Sequence, residues 1–259
     1  MKIFDCFIFN HEIELLEIRL NVLNDYVDKF VITEGNLTFS GKLKHSYFLE
    51  HKDVFSKWED KIILNEITIP PLKSPWDREI YSRNSVMNLD IFEDGDLILT
   101  SDSDEIPNPE VLKYASEWIN HDTHFAFQQS GYHGYLNNLY TDVWFGTRAA
   151  TYKYMKNTTV DNIREGTEDE SKISGSIITN AGWHFSYCGD ENHIKQKINS
   201  FCDTQFDIPE VVDKVTDNLK QGKDVLNRSH INYRKVNIDE SFPEYIINNQ
   251  EKYAHLLMK

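Results

Sequence analysis

The sequence predicts an α/β protein: a Rossmann-like, mostly parallel central sheet with helices on both faces, followed by a smaller mixed region. Three observations carry that prediction. Short apolar runs alternate with amphipathic stretches through the first half of the chain, as in β-α-β-α units. One run, Leu97-Ile98-Leu99-Thr100, is apolar without alternation, the mark of a strand covered on both faces. That strand ends directly in Asp102-Ser103-Asp104-Glu105, where open α/β sheets bind their ligands.

The elements follow in order. Ile3 to Phe9 reads as a first buried strand. His11 to about Tyr26 reads as a helix, with Ile13, Leu16, Leu20 and Leu23 on one stripe and Glu12, Glu14, Glu17 and Arg19 off it. Phe30 to Thr33 is a second strand, Ser46 to Trp58 a short helix, and Lys61 to Ile67 a third strand. Ser74-Pro75-Trp76-Asp77 begins a helix that runs to about Phe92. Ser74 is placed to cap, Pro75 suits the first helical position, and Asp77 suits the first turn. Asp94-Gly95-Asp96 is a turn before the Leu97–Thr100 strand. Another helix starts at Asn108-Pro109-Glu110 and reaches about Ile119.

Past Thr123 the pattern changes. Phe125 to Gln128, Thr147 to Tyr154, Ile173 to Thr179 and Trp183 to Tyr187 are short strands, with aromatic-rich loops between them. Helices return at Glu191–Phe201, Pro209–Lys220 and Pro243–Leu257. With no repeat, low-complexity tract or linker, one domain with two functional halves is expected, residues 1–122 and residues 123–259.

Composition narrows the function. The chain has 259 residues, 40% hydrophobic and 13% aromatic, enough for a substantial core. Its net charge of −15 opposes binding to nucleic acid or anionic membranes, and suits a cation bridging carboxylates to an anionic substrate. Cys6, Cys188 and Cys202 show no CxxC spacing and cannot all pair within one chain, which suits a reduced compartment. The apolar N-terminus is interrupted by Asp5 and too short for a signal core or a membrane span.

The chemistry concentrates at Asp102 and Asp104. Carboxylates one residue apart at a strand end point the same way and repel unless a cation lies between them. Mn²⁺ or Mg²⁺ prefers such oxygens and leaves positions open for a diphosphate. The plain alternative is a solvated loop with helix-capping acids. An EF-hand is excluded, because Pro107 stands where its glycine is required. His184, within Gly182-Trp183-His184-Phe185-Ser186, is a candidate third ligand, weighed against a hydrogen-bonded core histidine. Arg78 and Arg83 suit phosphate binding, although Glu79 and Arg83 are spaced to pair on one helix. No GxGxxG follows the first strand, and neither GxxxxGK[ST] nor GxSxG occurs.

Taken together, several stretches resemble glycosyltransferase family 17. They are Phe7-Ile8-Phe9-Asn10-His11-Glu12 with Leu15 to Leu20, Asp28 to Glu34, Thr38 to Lys42, Trp76-Asp77-Arg78-Glu79 with Arg83-Asn84, Ser101 to Pro107, and Gly182 to Ser186. They lie in the family's order over residues 4–205. The resemblance implies a GT-A fold, a UDP-sugar donor such as UDP-N-acetylglucosamine, a divalent metal, a glycan acceptor, and inversion at the anomeric carbon. It makes Asp102 and Asp104 the metal and nucleotide carboxylates, with His184 as a further ligand, and places Asn10, Glu12, Glu34, Arg78 and Arg83 around the donor. The chain departs from the family's Ser-Phe-x-His-x-Glu stretch, reading Ser200-Phe201-Cys202-Asp203-Thr204-Gln205. It also lacks the membrane anchor of animal members, so a cytoplasmic protein of bacterial or viral origin is expected.

The catalytic base is open among Glu191, Asp190, Glu105 and Asp142, the first two following the His184 strand. They serve equally well as capping acids. Tyr132, Tyr135, Trp144 and Trp183 are candidate sugar-stacking rings, weighed against core packing. Two rival functions are a haloacid-dehalogenase-like phosphohydrolase using Asp102 as nucleophile and a non-catalytic glycan-binding module. The first normally carries its motif on the first strand, not the fourth. The intact acidic pair opposes the second.

Overall fold

The structure, a computed structural model, describes residues 1–259 apart from Ile119, His230 and the side chain of Asp142. Among the described residues, twelve strands fall into two sheets. They are β1 (Ile3–Ile8), β2 (Lys29–Gly35), β3 (Ile62–Ile67), β4 (Leu97–Asp102), β5 (Glu105–Pro107), β6 (Phe125–Phe127), β7 (Gln129–His133), β8 (Asn138–Trp144), β9 (Arg148–Thr151), β10 (Ser176–Ile178), β11 (Gly182–Ser186) and β12 (Arg234–Lys235). The larger sheet has the order β10-β6-β9-β4-β1-β2-β3 and the smaller the order β12-β8-β7-β11-β5. The four strands β3, β2, β1 and β4 are mutually parallel, and β9 runs antiparallel to β4. This is the expected Rossmann-like α/β arrangement with a smaller mixed sheet beside it.

Side-chain alternation in the parallel strands feeds two cores, one on each face. Ile3 and Phe7 of β1, Phe30 and Ile32 of β2, and Leu97 and Leu99 of β4 enter the larger core. Their neighbours Phe4, Cys6, Val31 and Ile98 enter the opposite one, under Val86, Phe92 and Met155. Helix α1 (Ile13–Leu23) covers the first face. It is more buried than its sequence stripe predicts: Ile18, Arg19 and Val22 are enclosed as well. The C-terminal segment explains this. The Tyr253 hydroxyl donates to Glu17 at 3.1 Å, and Ile246 and Tyr253 join the same core.

Helix α2 (Pro75–Asn84) begins as the sequence predicts. Ser74 Oγ accepts from the Asp77 N–H at 3.3 Å, and Asp77 Oδ2 accepts from the Ser74 N–H at 3.2 Å, a reciprocal capping box. The helix stops at Asn84 rather than Phe92, passing into a 3₁₀ turn over Ser85–Asn88. Other expected helices are also shorter. Residues 46–58 form one α-helical turn and a 3₁₀ segment, and residues 108–118 form two single turns, their expected end at Ile119 lying outside the described residues. The Pro209–Lys220 and Pro243–Leu257 stretches likewise break into short pieces. Helix α3 (Glu191–Ser200) is continuous. The expected Thr147–Tyr154 strand is confined to β9, because Thr151 caps a helical turn at Tyr152–Met155. Strands β5, β7, β8 and β12 have no clear counterpart in the sequence reading.

The junction between the sheets positions the site. Asp102 closes β4 in register with Ile8 of β1, and Glu105 opens β5 in register with His184 of β11. The Asp102-Ser103-Asp104 segment is therefore the bend at which the chain leaves one sheet for the other.

Candidate active site

Both sheets open onto one cavity of about 630 Å³, with the Asp102–Asp104 bend in its wall. The bend is held from beneath. Arg19 of α1, fully buried, makes two bonds to the Asp5 carboxylate at 2.6 and 2.8 Å. The same guanidinium donates to the carbonyls of Asp102 (3.0 Å) and Glu105 (2.8 Å) and to Ser101 Oγ (2.6 Å). Arg19 thus occupies the buried side of its helix, not the solvent side, because a guanidinium there satisfies a carboxylate and a tight turn at once.

Asp102 faces two arginines. Its Oδ1 accepts from Arg83 Nε and Nη2 at 3.2 and 2.9 Å, and its Oδ2 accepts from Arg83 Nη2 and Arg164 Nη2 at 3.0 and 3.2 Å. Arg83 also pairs with Glu79 four residues earlier, so both readings of that arginine are realised together. Asp104 is buried. Its Oδ2 accepts from Lys197 Nζ at 2.6 Å, and its Oδ1 lies 3.7 Å from His184 Nε2. His184 is steadied from two sides: Nδ1 meets the Tyr140 hydroxyl at 3.2 Å, and the Trp144 ring stacks at 4.2 Å.

Glu105 lies beneath the cavity wall with no exposure. It accepts from Arg164 at 2.8 and 3.1 Å, from Trp144 Nε1 at 2.9 Å and from the Asp102 N–H at 2.8 Å. Burial alone would raise its pKa, but Arg164 holds it well below the usual carboxylate range. Gly146 is required here, since a Cβ would come within 2.2 Å of the Glu105 carboxylate. Glu12, after β1, accepts from the Asn10 and His11 N–H groups and lies 3.2 Å from Lys197 Nζ. Against its own burial, Lys197 keeps Glu12 ionised, and Asp104 and Glu12 keep Lys197 protonated.

The other candidates are distributed unevenly. Asn10 lines the cavity, donates to Ser200 Oγ at 2.9 Å, and has a buried Oδ1 with no partner among the described residues. Glu34 and Arg78 do not line it. The Glu34 carboxylate is bound by Lys44 (2.6 Å), Ser46 (2.7 Å) and the N–H groups of Tyr47 and Phe48. Arg78 donates to the carbonyls of Phe39 (2.7 Å) and Leu72 (2.8 Å), bracing the loop after β2. Asp190 caps α3 through the His193 N–H at 2.8 Å, and Glu191 pairs with Lys195 at 2.6 Å. Neither lines the cavity, and the Asp142 side chain lies outside the described residues. Trp144 lines the cavity, whereas Tyr132 and Trp183 are packed in the core.

Sequence reasoning missed Arg164, Lys197 and Asp203, all of which line the cavity. Lys197 left a signal: it sits between Ile194 and Ile198 on the buried side of α3, and a buried ammonium requires a carboxylate partner. Arg164 falls in a segment without a long periodic element and left none, whereas Asp203 stands in the Ser200–Gln205 stretch that departs from the family pattern.

These features define an α/β protein with an acidic motif at the carboxyl end of its central parallel strand, opposed by a second sheet and ringed by cations. The chain belongs to glycosyltransferase family 17, whose model matches residues 1–258. The match continues well past residue 205, where the recognisable motifs end. Relatives include the β-1,4-mannosyl-glycoprotein 4-β-N-acetylglucosaminyltransferases of Homo sapiens and Rattus norvegicus. Each is 24% identical over 208 residues, covering 69% of this chain and 39% of the relative. The chain therefore spans about two fifths of the length of the curated relatives it matches. Among solved structures, S. aureus TarS (residues 1–349) is similar with a TM-score of 0.43 and 12% identity, over 86% of this chain and 81% of that one. An active-site mutant of LgtC gives a TM-score of 0.37 and 12% identity, over 63% and 61%. Among the described residues, no helix is long and apolar enough to cross a membrane.

Proposed function

We propose that this protein transfers a sugar, N-acetylglucosamine from UDP-N-acetylglucosamine, to a glycan acceptor with inversion, using a divalent metal such as Mn²⁺. The observation that carries the reading is the convergence of Asp104 Oδ1 and His184 Nε2, 3.7 Å apart, from two sheets onto one cavity. The family match and the N-acetylglucosaminyltransferase relatives support the donor chemistry.

The metal reading rests on two side chains, Asp104 and His184. Among the described residues, no group of three or more His, Cys, Asp or Glu side chains is placed as a complete cage. An ion that also takes diphosphate and water oxygens needs fewer protein ligands. His184 is oriented as such ligands are, one ring nitrogen at the Tyr140 hydroxyl and the other towards Asp104. Asp104 and His184 would hold the ion. Both Asp102 oxygens are taken by guanidinium groups, so Asp102 acts through Arg83 and Arg164. Bound there, the metal would neutralise charge on the departing diphosphate. Arg83, Arg164 and Lys197 add fixed positive charge around the same point. The phosphohydrolase alternative needs an Asp102 oxygen free to attack phosphorus, and the guanidinium contacts oppose it.

The test is thermal stabilisation by Mn²⁺ and UDP, together with UDP release from UDP-N-acetylglucosamine. The wild-type chain should be stabilised by the pair and lose turnover in EDTA. Asp104→Ala and His184→Ala should abolish both the Mn²⁺-dependent shift and turnover while remaining folded. An undiminished Mn²⁺-dependent shift in both variants would refute the assignment.

A further inference from the structure

We propose that Asp203 is the general base that takes the proton from the acceptor hydroxyl, in a sugar subsite that it forms with Tyr187, Phe201 and Phe206. The proposal rests on the glycosyl-transfer reading above and names the residue that reading lacks. An inverting transfer needs an ionised carboxylate beside the acceptor oxygen, within about 3 Å in the reactive complex. That carboxylate must also be free to accept a proton, and a cation bound to it opposes this by favouring the charged form.

Most carboxylates in the cavity wall fail that requirement. Asp102 is bound by Arg83 and Arg164, Asp104 and Glu12 by Lys197, and Glu79 by Arg83. Asp161 lies 3.9 Å from Arg83. Asp203 is different. It is half-buried in the wall, and its carboxylate accepts from the Gln205 amide at 3.1 Å. Among the described residues, no cation stands within 4.0 Å of it. Among the described residues, Glu165 and Glu168 also have no cation partner, but they are exposed, so water competes for the proton.

Tyr187 supplies a second, independent observation. Its backbone has φ 54°, a left-handed conformation that is costly for an aromatic residue. Its side chain is buried, and its hydroxyl has no partner among the described residues. A buried hydroxyl is costly to leave unpaired. Strain and an orphaned donor in one cavity-lining residue point to a partner on the ligand, and a sugar hydroxyl fits. The Phe201 ring stands edge-on to Tyr187 at 6.2 Å, and Phe206 lines the same cavity and packs against the cluster containing Tyr187, giving apolar surface for a sugar face. This subsite adjoins the Asp104 side of the cavity. The Tyr187 ring centre is 5.3 Å from Lys197 Nζ, which holds Asp104 at 2.6 Å.

The step balances simply. The acceptor O–H gives its proton to the Asp203 carboxylate, and the acceptor oxygen bonds to the anomeric carbon. The anomeric carbon–phosphate oxygen bond breaks, and its electron pair leaves with the nucleoside diphosphate. Tyr187 positions the acceptor through a neighbouring hydroxyl.

The experiment uses the whole chain with Mn²⁺, UDP-N-acetylglucosamine, and either a mannose-terminated oligosaccharide or water as acceptor. Asp203→Asn should lower kcat about 10²–10⁴-fold. UDP binding should be unchanged, the acid limb of the kcat/KM profile should disappear, and Asp203→Glu should restore part of the rate. Tyr187→Phe should raise KM for the oligosaccharide about tenfold, as expected for one lost hydrogen bond of about 1.4 kcal/mol, and leave UDP binding alone. Asp203→Asn with wild-type kcat overturns the proposal, as does a comparable loss in Glu165→Gln or Glu168→Gln instead. A wild-type chain that neither binds UDP nor releases it from the donor overturns the functional reading itself, a separate result.

Discussion

Arg19 donates to the Asp102 carbonyl at 3.0 Å from a position with no solvent exposure. A helix on the closed side of the sheet thereby fixes the backbone of the acidic motif on its open side. The contact is affordable in the interior only because Asp5 neutralises the guanidinium from β1.

Arg19→Met is therefore expected to destabilise the fold by about 3–5 kcal/mol, since it strands Asp5 as an unpaired buried charge. Denaturant titration measures the loss. The double variant Asp5→Leu with Arg19→Met should recover much of that stability. It should still weaken UDP binding, because the bend loses three tethers. UDP affinity equal to wild type in the double variant would show that the bend holds its shape without Arg19.

Arg164 joins Asp102 to the buried Glu105, and removing it has two consequences that can be separated. Arg164→Met should cost about 3–5 kcal/mol by leaving Glu105 unpaired. Adding Glu105→Gln should return part of that stability, while turnover stays lost if, as proposed, Arg164 supplies positive charge beside the diphosphate. A double-mutant cycle gives the coupling. Strict additivity would mean that the two residues do not act as a pair.

His11 and His193 form a second titrating unit, with ring centres 4.4 Å apart and His11 Nε2 3.2 Å from the His193 carbonyl. Burial lowers the pKa of His11. Burial and the neighbouring His11 hold His193 down to about 4, against the opposing pull of Glu12 and Asp190 and with the help of Lys197. The folded state therefore prefers both rings neutral. Their contribution is complete above the unfolded value of about 6.5 and is lost as pH falls towards 4. Stability should drop by roughly 2–3 kcal/mol across that window, and below the unfolded value of 4.5 the depressed carboxylates Glu12 and Glu105 add a further loss. Equilibrium unfolding at several pH values measures it, and His193→Gln should flatten the slope between pH 6.5 and 4. An unchanged slope in that variant would place the effect elsewhere.

Much of this protein could be read from local pattern. The apolar run at Leu97, the capping box at Ser74, the order of β1 to β4 and the acidic pair at a strand end follow from alternation, helix-start chemistry and charge repulsion, which act within a few residues. The pairing of His184 with Glu105 across β5 and β11, the burial of Arg19, and the meeting of Arg83 and Arg164 at Asp102 are contacts between segments tens of residues apart. Which partner a charged side chain finds depends on which elements are brought together, and a charge is driven to find one because burial without it is costly. So the sequence alone determined that there is a central parallel strand ending in a pair of acids, while only the tertiary structure decided which cations and which histidine surround them. Glu34 shows the difference most plainly. It lies near the carboxyl end of β2, as the sequence indicates, yet it does not line the cavity, and its carboxylate is bound by Lys44, Ser46 and two backbone N–H groups supplied by the following loop.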